Sequence, residues 1–153
     1  FTEVSCMGMR STAEHLQPEN NQFGNPFGTE IALFRTSEGG MARMAVSWDT
    51  PGEGGERGRI RTEKGTFYGE FQSDKKDATS PAIARPPLPP GVAAGGHGGS
   101  HGYLMSEFIE AILLNRQPLV DVAQSLNMTV SGIVAHQSAL KDGELMNIPQ
   151  YTL

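Results

Sequence analysis

Two histidines set four residues apart among glycines, Gly95-Gly96-His97-Gly98-Gly99-Ser100-His101-Gly102, are the first residues of this chain with types and spacing that could do chemistry. An imidazole donates to and accepts from hydroxyls and exchanges protons near neutral pH, so His97 and His101 suit the lining of a site for a sugar or small polar substrate. The glycines invite a second reading, a phosphate cradled by backbone N–H groups where a helix opens. That reading fails on spacing. A dinucleotide fingerprint needs G-x-G-x-x-G directly after a buried strand, and here a proline arm precedes the glycines and the Lys-Ser/Thr pair of a P-loop is missing. A metal reading would recruit His15 or His136 to complete the set, but flexible glycines supply neither further ligands nor the rigid hydrogen bonds that orient them. The plainest alternative makes Ser100 the N-cap of a helix, with His101 near its start and His97 in a loop.

The other candidates are weaker. Glu107 and Glu110 stand one helical turn apart, which on an amphipathic helix describes a solvated face. Asp49, in Trp48-Asp49-Thr50-Pro51-Gly52, marks a strand end and more simply starts a turn. Ser131 and His136 have no nucleophile-elbow context, since no G-x-S-x-G occurs. Asn127-Met128-Thr129 has the form of a glycosylation sequon but falls inside an expected helix. Cys6 is the single cysteine, so no intrachain disulfide and no cysteine cage can form.

The elements that must position these residues divide into strands and then helices. Ala42, Met44, Val46 and Trp48 alternate with Arg43, Ala45 and Ser47, the period of a half-buried strand. Glu30 to Thr36 is a second strand, joined to the first by Ser37-Glu38-Gly39-Gly40, whose glycines suit a tight hairpin. Arg57 to Thr62 and Thr66 to Phe71 form a further expected hairpin, and Thr2 to Met9 a fifth strand, giving an antiparallel meander. Between Ser73 and Gly102 periodicity disappears and Pro and Gly dominate, as in a crossing arm with polyproline character. Leu104, Phe108, Ala111 and Ile112 then share one stripe of a helix ended by Asn115 and Pro118. Asp121 and Gln124 are spaced as N-cap and N3 partner of a second helix, with Val122, Leu126, Val130, Ile133 and Val134 as its apolar stripe and Gly143 as its C′ residue. The expected fold is α+β: an open, predominantly antiparallel β-sheet with the C-terminal helices packed on one face.

Composition limits the classes. With 153 residues the chain accommodates one domain, 1–153, and not a nucleotide domain plus a substrate domain. A net charge of −5 argues against a nucleic-acid surface, since the only tight basic cluster is Arg57, Arg59, Arg61 and Lys64. No apolar run approaches the roughly 18 residues that span a bilayer, so the expectation is a soluble protein without a membrane partner, cytoplasmic or periplasmic. Starting on Phe, the sequence is expected to be a processed or excised piece of something longer.

Several segments together resemble the C-terminal domain of the Gfo/Idh/MocA family, which includes glucose–fructose oxidoreductase and inositol dehydrogenase. They are Phe27 to Thr36, Arg43 to Gly52, Gly95 to His101, Glu107 to Ile112 and Pro118 to Val122, in this order, ending in Lys141-Asp142-Gly143-Glu144. The resemblance implies a two-domain parent whose N-terminal Rossmann domain binds NAD or NADP, while the part seen here shapes a sugar pocket and assembles a homo-oligomer through its open sheet face. The family's dinucleotide turn, its Glu-Lys-Pro segment and its Asp-x-x-x-His segment have no counterpart in this sequence, so no catalytic residue carries over. The isolated chain is expected to be inactive and to hold no cofactor. What remains are His97 and His101 as substrate-binding residues, and an alternative class, a stand-alone carbohydrate-binding or assembly module.

Overall fold

The computed structural model describes residues 1–51, 55, 58–68, 70–72 and 87–153, in two compact units, one formed by Phe1–Pro51 with Ala111–Leu153 and the other by Gly52–Glu110. The expected Arg57 lies outside the described residues, as do residues 73–86 of the arm expected from Ser73 to Gly102.

In the first unit, β1 (Glu3–Arg10), β2 (Phe27–Arg35), β3 (Met41–Ser47) and the short β7 (Met146–Asn147) form a sheet in the order β3-β2-β1-β7. All pairings are antiparallel, and β1 and β2 run together from Glu3↔Arg35 to Arg10↔Phe27 with an irregularity between Met9 and Arg10. The hairpin between β2 and β3 is the one the glycines announce: Gly39 takes a φ of 76°, the left-handed conformation that glycine adopts without strain. Helix α2 (Val122–Ala139) lies across one face, packed chiefly on β1 with β7 and β2 beside it. This is the expected α+β arrangement of an open antiparallel sheet with helix on one face.

Strand parity fixes which residues meet the helix. Val4, Cys6, Ala32 and Phe34 are buried, while Met7, Met9, Ile31 and Leu33 on the alternate positions are exposed on the other face. The core is completed by Val134, Ala135, Ala139 and Ile148, with Phe1 tilted over Phe34 at 4.6 Å between ring centroids.

Helix α2 begins as its sequence predicts. The Asp121 carboxylate accepts the Gln124 N–H at 2.8 Å and the Gln124 side chain accepts the Asp121 N–H at 3.0 Å, a complete capping box. Its packing differs from the expected stripe. Val134 is buried and Val130 partly so, but Val122, Leu126 and Ile133 are exposed, and the face on the sheet is made of Ala123, Ser131, Ala135, Ser138 and Ala139. Small side chains let the helix axis come close to the strands, and that close approach outweighs burial of the larger residues, which periodicity alone would have turned inward. The helix end also shifts by one position. Asp142 N–H reaches Ala139 C=O and Gly143 N–H reaches Ser138 C=O, so Asp142 (φ 55°) takes the left-handed C′ place expected for Gly143 (φ 86°), which follows it.

Because β7 pairs only with Glu3 and Val4, the rest of that side of β1 needs other partners. The fully buried Ser138 supplies one: its Oγ accepts the Cys6 N–H at 2.9 Å and donates to the Glu144 carbonyl at 2.6 Å, while Ser5 Oγ donates to the Gly143 carbonyl at 2.7 Å. The C-terminal segment is held by Asn127, whose amide donates to Tyr151 C=O and accepts Tyr151 N–H, both at 2.9 Å. That occupies the asparagine of the apparent sequon.

The second unit departs from the expected single meander. Strands β4 (Ile60–Arg61), β5 (Thr66–Tyr68) and β6 (Glu70–Gln72) form a sheet of their own, and the segment expected as one strand from Thr66 to Phe71 folds back on itself with Phe67 opposite Phe71. Helix α1 (Gly96–Leu113) starts four residues before the expected N-cap Ser100 and ends near Asn115, whose φ of 47° halts it as predicted. Of its expected stripe, Ala111 is buried and Leu104, Phe108 and Ile112 are exposed.

Candidate functional site

The glycine-rich segment enters α1 by a reversal rather than as an open loop. Gly95 takes a φ of 77°, and the chain folds back so that the Gly102 N–H donates to the Ala94 carbonyl at 2.8 Å. A Cβ at Gly102 would stand 2.6 Å from the Ala93 carbonyl oxygen, so glycine is required there by contact with the preceding backbone. His101 lies against the same reversal, with its Cβ and imidazole over Gly95 and Gly96, and remains exposed. Both histidine positions therefore belong to the first turns of one helix; the expectation that His97 lies in a loop and His101 at a helix start after Ser100 is corrected by the extra turn. The His97 side chain lies outside the described parts. The other two histidines stand elsewhere: His15 in the helical turn Glu14–Leu16, and His136 on α2.

Asp49 follows β3 in a bend at the strand end rather than in a hydrogen-bonded turn. Its carboxyl is held below the usual range by hydrogen bonds, first from Ser11 and then from Thr29 and Ser47, with Thr29 Oγ1 at 3.0 Å. Gly28 makes room for it, since a Cβ there would overlap the carboxylate. Three hydroxyl partners use the acceptor sites of Asp49 to fasten the strand end, which is a structural task.

A site that sequence reasoning passed over lies on the helix-covered face of the first unit. His136 Nδ1 on α2 donates to Glu30 Oε1 on β2 at 2.6 Å, with both side chains part-buried. The Phe27 ring stands edge-on to the imidazole at 6.1 Å and covers Gly8, where a Cβ would overlap it. Beside this pair runs a groove of about 230 Å³ with Phe27, Phe34, Met44, Val46 and Trp48 as its apolar walls and Glu30 and Cys6 in its floor. Burial, followed by the nearby Glu30 charge, pushes the Cys6 thiol up to about 11, so it is a packing residue and not a nucleophile at neutral pH. One signal could have revealed the pair. Glu30 shares the inward parity of Ala32 and Phe34, and a carboxylate on an apolar face calls for a partner. The partner, 106 residues away, has no local signature.

No family model and no curated protein matches the sequence. Solved structures do. Levoglucosan dehydrogenase in complex with NADH and levoglucosan superposes with a TM-score of 0.63 at 17% identity, over 98% of this chain and 45% of that one. The chain shares its fold. Levoglucosan dehydrogenase in complex with NADH gives 0.65 at 19% identity over 98% and 45%, and an oxidoreductase domain protein from Kribbella flavida gives 0.62 at 15% identity over 97% and 46%. The chain thus spans less than half the length of these oxidoreductases. Among the described residues no helix is long and apolar enough to cross a membrane.

Proposed function

We propose that residues 1–153 form the substrate-side and assembly domain of a sugar or polyol oxidoreductase that uses NAD or NADP, with the dinucleotide carried by a Rossmann domain elsewhere in the parent protein. The observation that supports this most is the superposition of nearly the whole chain on less than half of a dehydrogenase bound to NADH and levoglucosan. In this reading the chain does not transfer hydride by itself, because it lacks the strand–GxGxxG–helix turn that holds a pyrophosphate. His97 and His101 contribute imidazoles to the pocket for a hydroxyl-rich substrate, one helical turn apart at the start of α1. The apolar side chains of Met7, Met9, Ile31 and Leu33 on the uncovered sheet face form the surface through which copies of the protein assemble.

The test uses the full-length enzyme. His101→Ala should lower kcat/KM for the sugar by about one to two powers of ten, the cost of about 1–3 kcal/mol for a lost hydrogen bond to substrate, while the melting temperature stays within the range of surface substitutions. Full activity in that variant, or micromolar NADH binding by the isolated chain in titration calorimetry, would defeat the reading.

A further inference from the structure

We draw no further inference here: the strongest candidate, the His136–Glu30 pair between α2 and β2 with the groove beside it, belongs to the site already described, its two side chains pair with each other, and nothing in the structure shows what covers the apolar strip of β2 and β3 that borders it.

Discussion

Replacing Ser138 by Ala tests the account of how α2 is joined to the sheet. Ser138 is 0% exposed and its Oγ serves two backbone groups, the Cys6 N–H at 2.9 Å and the Glu144 C=O at 2.6 Å, which belong to β1 and to the segment leading into β7. Alanine fits the space but leaves a buried strand N–H and a part-buried loop carbonyl without their partner. At about 1–3 kcal/mol for each orphaned group, less what relaxation recovers, the expected loss is about 2–4 kcal/mol. With a urea m-value of about 1–3 kcal/mol per molar, the midpoint should fall by about 1 M or more. Ser131→Ala is the control on the same helix face. Ser131 is 4% exposed, but its Oγ donates only to the Met128 carbonyl one turn back, and alanine is the better helix former, so the expected change is within about 0.5 kcal/mol. Equal midpoints for the two variants in urea melts followed by circular dichroism would refute the reasoning, because burial without the bridging geometry would then be all that matters.

Three further outcomes test single residues of the fold. The Cys6 thiol is pushed from an ordinary 9.0 to about 11, so above pH 9 the unfolded chain ionises it and the folded chain does not; its contribution is intact below pH 9 and should fall by about 1.4 kcal/mol per pH unit towards pH 11, a slope that Cys6→Ala removes in pH-dependent urea melts. Asp121→Ala removes the capping box and should cost about 1 kcal/mol, with Asp121→Asn retaining most of the stability; equal losses in the two variants would show that the cap hydrogen bond is not the source. Gly102→Ala puts a Cβ against the Ala93 carbonyl and should cost about 1–3 kcal/mol, seen as lost hydrogen-exchange protection at the start of α1; unchanged protection would mean that the preceding backbone can move aside.

Local chemistry was legible wherever a residue's task is set by its neighbours in sequence. The Asp121–Gln124 cap, the turn at Gly39, the end of α1 at Asn115 and the strand segments β1, β2 and β3 all follow from short spacings, and with them the α+β class; the half-buried face expected of β3 does not, since only Ala42 of that strand is even partly buried. One departure is also local: Ser100 has the type of an N-cap, whereas the chain reverses at Gly95 and the helix begins at Gly96, with glycine required at Gly102 by the Ala93 carbonyl.

What the sequence by itself determined, then, was periodicity: which segments of the first unit are strands and where the two helices run. Tertiary structure alone decided which side of α2 meets the sheet, because Ala and Ser at the interface permit an approach that no hydropathy pattern encodes. It decided too that Ser138 completes β1 and that His136 meets Glu30, since hydrogen bonds spanning more than a hundred residues depend on where two elements cross. His97 and His101 stand out in sequence because glycine isolates them, whereas Glu30 and His136 are each unremarkable until the sheet and the helix are packed, when a carboxylate turned towards an apolar face must find a donor.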